Sequence, residues 1–115
     1  MQLERRKAGS GLGLRRDAQT DELFRSFLAL HSVEECYLFF EDLCTNKEIR
    51  DMGQRLTIAK LLREGSSYLN AAEKTGVSSA TVGRVKRCLD YGDGGYDLIL
   101  TRMGTDPGGN ENGES

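Results

Sequence analysis

The sequence predicts an all-α fold of about six helices per chain, one pair of them a helix-turn-helix. Three observations predict it. The 115 residues hold one proline and few long β-branched runs, so little in the chain opposes helix. Apolar residues recur three and four positions apart in several separate stretches. Twice, a Ser or Thr is followed three residues later by Glu at the edge of such a stretch. In that pattern hydroxyl and carboxylate each satisfy a backbone N–H with no helical partner.

The elements follow in order. Residues 1–16, with Arg5, Arg6 and Lys7 and a Gly-Ser-Gly-Leu-Gly run at positions 9 to 13, show no periodic apolar face and read as a disordered basic arm. A helical domain is expected over 17–104, and one compact domain is all that a chain of this length has room for. Leu23, Phe24, Phe27, Leu28 and Leu30 predict a first amphipathic helix from Thr20. Ser32 with Glu35 opens a second helix, to about Leu43, which places Cys36, Phe39, Phe40 and Leu43 on one side. Thr45 with Glu48 opens a third and longer one. Its stripe is Ile49, Met52, Leu56, Ala59 and Leu62, and Gly65 stops it.

Two shorter helices are expected at Ser67 to about Lys74 and Ser78 to about Tyr91, separated by Thr75, Gly76 and Val77. Gly76 can take the positive φ of a sharp turn, and Ser78 can cap the helix that follows. Tyr96 to Met103 supplies a short last helix, and 105–115 reads as a disordered acidic tail.

Charge is unevenly spread. The chain is acidic overall, at net -2, yet residues 66–89 carry four cations and one anion, and residues 1–16 five cations and one anion. A polyanion could meet one local surface of an acidic protein. Three cysteines and no apolar leader point to a reducing, cytoplasmic compartment, and no apolar run reaches the length of a membrane span.

Three of the four cations of 66–89 fall in the segment TGVSSATVGRVKRCL, residues 75–89. Ala72, Gly76, Val82 and Val85 stand where a helix-turn-helix needs a small inner residue, a turn glycine and an apolar inner face. Ser78, Ser79, Thr81, Gly83, Arg84, Lys86 and Arg87 are then expected to face outward, with Ala80 among the small residues near the helix start. Small side chains let a backbone approach base edges, hydroxyls and the helix N-terminus hold phosphate, and cations supply counter-charge. Ser67 and Lys74, on the preceding helix, complete the candidate DNA-binding set. The same spacing also suits plain packing of two helices with a solvated basic face.

The run EECYLFFEDLCTNKEIRDMGQRLTIAKLLREG, continued by TGVSSATVGRVKRCLDYG, resembles the YerC/YecD group of Trp-repressor-like proteins, over about Asp21 to Met103. The resemblance implies an intertwined homodimer in a bacterial cytosol that binds a palindromic operator on double-stranded DNA, most simply as a repressor. It also implies positions for a small effector. Arg55 matches the arginine that pairs with the carboxylate of tryptophan, Arg84 the arginine that stacks on the indole, and Thr45 the residue whose backbone helps hold the amine. Val85 stands in place of a pocket glycine and Cys88 in place of a serine. L-tryptophan, another small co-repressor, or no ligand at all are the three readings this leaves.

Other chemistries fit less well. His31 with Cys36 and Cys44 matches no common zinc spacing, and buried cysteines among apolar neighbours are the simpler expectation. Glu34, Glu35, Glu41 and Asp42 suit a solvated helix face. The sole histidine, at a helix junction, offers no nucleophile pairing, so no enzyme is expected. The rival to a DNA regulator is a helical interaction module that uses the same basic face on an acidic protein partner.

Overall fold

The computed structural model describes residues 16–104. Among them lie six α-helices and no strand: α1 (Ala18–Leu28), α2 (Val33–Leu43), α3 (Asn46–Arg63), α4 (Tyr68–Thr75), α5 (Ser79–Tyr91) and α6 (Gly95–Arg102). The basic arm and the acidic tail expected at the two ends lie outside the described residues, apart from Arg16. The contacts divide the chain between Ile49 and Arg50, inside α3, into two units, where one compact domain was expected.

Residues 16–49 are organised by caps and by one aromatic cluster. The Asp17 carboxylate accepts from the backbone N–H of Thr20 at 2.8 Å, which starts α1 and holds its pKa below the ordinary carboxylate value. Ser32 Oγ accepts from the N–H of Glu35 at 3.1 Å, and the Glu35 carboxylate accepts from the N–H of His31 at 2.8 Å. That box closes one residue earlier than the standard pattern. Thr45 and Glu48 close theirs reciprocally, at 3.1 and 3.0 Å. Phe27 stacks on Phe40 at 5.0 Å between centroids and meets Phe39 edge-on, tying α1 to α2. No residue of α1 or α2 is buried. Leu28 is 83% exposed, Tyr37 73% and Leu38 69%. Cys36 and Cys44 are free and only half-buried, so the expected burial of these two is partial.

Residues 50–104 hold the whole core. Ile58 and Ala59 of α3, Ala71 of α4, Val82 and Val85 of α5 and Leu100 of α6 are buried together, and Leu56, Leu61, Leu62, Ala72, Val77, Leu89 and Tyr96 pack around them. Each of the larger buried side chains contributes about 1.5–3 kcal/mol by leaving water. The stripe expected on α3 is partly displaced: Met52 is exposed and Ile58, outside the stripe, is buried. The C-terminal half of this helix is apolar on more than one side, so no single stripe marks its inner face. Likewise Ala71, rather than Ala72, is the fully buried alanine of α4.

Gly65, at φ 105°, ends α3, and the N–H groups of Ser66 and Gly65 return to the carbonyls of Leu61 and Leu62 at 2.9 and 3.1 Å. α6 is fastened to the end of α3 by Arg63. Its Nε lies 3.2 Å from the Asp97 carboxylate and its Nη2 donates to Thr101 Oγ1 at 2.7 Å.

Candidate nucleic-acid interface and ligand cluster

Local chemistry sets the α4–α5 pair. Ser67 Oγ accepts from the N–H of Asn70 at 3.0 Å and starts α4. Gly76, at φ 73°, ends it in the left-handed conformation that disfavours a Cβ, with its N–H on the Ala72 carbonyl at 2.8 Å. Ser78 Oγ then accepts from the N–H of Thr81 at 3.2 Å and starts α5. With Ala71, Val82 and Val85 buried between them, the two helices form a helix-turn-helix whose turn is Gly76, Val77 and Ser78.

Tyr68 fixes this pair in a way its sequence does not announce. Its hydroxyl donates to the Ser79 carbonyl at 2.7 Å, from the first residue of α4 to the first of α5. A Cβ built on Gly83 would stand 2.7 Å from that same hydroxyl. Gly83 is therefore small because Tyr68 lies across it.

The candidate DNA-binding residues separate accordingly. Ser67, Lys74, Ser78, Ser79, Ala80, Arg84, Lys86 and Arg87 are exposed. Thr81 and Gly83, expected to face outward, are half-buried. Thr81 is turned to the cap, where its hydroxyl accepts from Ser78 Oγ at 3.2 Å, and Gly83 sits under Tyr68. Lys86 is held by Asp90, one turn on, at 3.0 Å, so part of its charge is met within the helix. Arg84 and Arg87 form no such ion pair within α5, and Lys74 adds a cation at the end of α4.

The effector positions also separate. Thr45 belongs to residues 16–49, where its N–H is taken by Glu48 and its carbonyl by the N–H of Ile49. Val85 is 1% exposed and is part of the core. Arg55, Arg84 and Cys88 all act electrostatically on one group that sequence reasoning did not single out, the phenol of Tyr96. Burial raises the pKa of that phenol above its ordinary value, Cys88 acts in the same direction, and Arg55 and Arg84 oppose it, Arg55 also through a side-chain hydrogen bond. A phenol that is easier to keep protonated when folded adds stability below its unfolded pKa, lost as pH rises through the higher folded value. Melting temperature should thus fall as pH climbs above about 10, and Tyr96→Phe should make that fall shallower. An identical alkaline edge in both proteins would remove Tyr96 from the titration.

Among the described residues, no group of three or more His, Cys, Asp or Glu side chains is placed to hold a metal ion, and no helix is long and apolar enough to cross a membrane.

Residues 18–104 match the model of the family described as Trp repressor protein. The chain belongs to the Trp repressor family. This family is one of DNA-binding regulators, and the helix-turn-helix of this Trp repressor family member lies wholly inside the matched region. The chain is 50% identical over 88 residues to the YerC protein of Bacillus subtilis (strain 168), spanning 76% of this chain and 85% of that one. A crystal structure from Staphylococcus aureus, described as a candidate Trp repressor, superposes with a TM-score of 0.74 at 44% identity, covering 90% of this chain and 94% of its own. A TrpR-like protein from Eubacterium eligens ATCC 27750 gives 0.76 at 46% identity, covering 79% and 94%.

Proposed function

We propose that the protein is a cytoplasmic, homodimeric transcriptional repressor, without enzymatic activity, that reads a palindromic site in double-stranded DNA through α5. The observation that carries this reading is the exposed set Ser79, Ala80, Arg84 and Arg87 on the second helix of a helix-turn-helix. A short side chain at Ala80 allows close approach to base edges, Ser79 lies in the first turn, where backbone N–H groups favour phosphate, and the arginines add counter-charge. Dimerisation is supported by the apolar surface of α1 and α2, where nothing is buried within one chain. Two copies related by a two-fold axis would present two such helices about 34 Å apart, which is why the site should be palindromic.

The test is enrichment from a randomised duplex pool by the full chain at near-physiological salt, with and without L-tryptophan. A two-fold symmetric consensus is expected. On that consensus, Lys74→Ala and Arg87→Ala should each weaken binding and lower the salt slope by about one, while Ser79→Asp should abolish it by repulsion. Enrichment of no sequence, with only salt-labile and indifferent association, would point to an acidic protein partner on the same face instead.

A further inference from the structure

Two kinds of contact hold α5 to α4. Ala71, Val82 and Val85 seat the two helices against each other within the core. Apolar burial has no direction, so it fastens a helix without fixing how far it slides or rolls. A hydrogen bond does fix direction. One such bond joins the first residues of the two helices, the Tyr68 hydroxyl donating to the Ser79 carbonyl at 2.7 Å. A carbonyl has two lone pairs, so it can take this proton as well as a helical N–H. The phenol reaches it across Gly83, where a Cβ would stand 2.7 Å from the hydroxyl and 3.7 and 3.9 Å from two ring carbons. Tyr68 is 43% exposed, and Ser79, Ala80 and Arg84 are exposed too. The bond therefore lies at the outer edge of the pair, beside the residues proposed above to face DNA.

We propose that Tyr68 is a positioning residue for base reading: its hydroxyl latches the first turn of α5 in place, and Gly83 is the gap that lets the latch close. The base-reading part rests on the DNA-binding reading above, whereas the latch does not. With its single proton committed to Ser79, the hydroxyl has none to donate to a phosphate. Its loss should be felt in the choice of sequence and not in attraction to the DNA backbone.

The full chain, Tyr68→Phe, Gly83→Ala and the double variant are melted without DNA. Each is then titrated, well below its melting temperature, with the selected consensus duplex and with a scrambled one over a range of salt. Alanine suits a helix interior better than glycine does. In the Tyr68→Phe background only the ring carbons remain near position 83, at ordinary contact distance, and Gly83→Ala should raise the melting temperature by about 4 °C. In the parent it should not, because the new methyl displaces the hydroxyl and the gain is lost with the bond. Tyr68→Phe should cut the preference for the consensus by about tenfold, as one mismatched base pair does. Its binding to the scrambled duplex and its salt slope should stay those of the parent. An equal gain from Gly83→Ala in both backgrounds would overturn the latch. Equal weakening on both duplexes, or no weakening on either, would overturn the positioning role. A parent that selects no consensus, while the melting gain still depends on Tyr68, would discard the DNA reading and the base-reading role with it, and keep the latch.

Discussion

Leu38→Asp should convert the proposed homodimer to a monomer, although Leu38 is 69% exposed within a single chain. At an ordinary surface position such a change falls within about 0.5 kcal/mol. Here the side chain is one of several large apolar residues left more than half exposed, with Leu28, Val33 and Tyr37, on helices that bury nothing of their own. If a second copy covers that surface, a carboxylate at position 38 is carried out of water without a partner. The association constant should then fall by about a hundredfold or more, equivalent to about 3 kcal/mol. Sedimentation equilibrium across a range of concentrations measures this directly. A variant with the mass and association constant of the parent would show that the surface is not the dimer contact.

Leu100→Ala is expected to be the costliest single truncation of the core in 50–104. Leu100 is wholly buried and joins α6 to the cluster formed by Ile58, Val82 and Val85. Truncating a buried leucine costs about 2–5 kcal/mol from lost transfer energy and residual cavity. For a domain of this size that lowers the melting temperature by roughly 10 °C or more. The change should also loosen Tyr96, one turn away on the same helix, so that this phenol titrates nearer its ordinary value. A loss under about 1 kcal/mol would mean that α6 is only laid against the core and is not part of it.

How much of this could be read in advance depended on whether the determining interaction is local. Ser32, Thr45, Ser67 and Ser78 each cap a helix through a backbone N–H three residues away, and all four helix starts follow from residue type and spacing. Gly76 was legible for a similar reason, since a left-handed turn has few alternatives to glycine. Ile58 was not, because Leu56, Ile58, Ala59, Leu61 and Leu62 crowd one stretch and periodicity there does not choose a face. Tyr68 and Tyr96 were missed outright. The first acts through a bond to a main-chain carbonyl eleven positions on, and the second through groups contributed by two other helices. Neither leaves a pattern in its own neighbourhood. Gly83 shows the cost of the omission: its small size suggested room for DNA, whereas the room is used by Tyr68.

The absence of any buried side chain in α1 and α2 also bears on how the protein is made. A ribosome delivers these helices before the other four, with their phenylalanines clustered but no buried side chain among them. The core that can close within one chain, from Ile58 to Leu100, emerges later. If a second copy covers α1 and α2, the order of synthesis and the order of consolidation are opposed. Asp21, Glu22 and Arg25 in α1, and Glu34, Glu35, Glu41 and Asp42 in α2, interrupt the apolar residues of that segment. Charges so placed act as gatekeepers against misassociation of nascent chains.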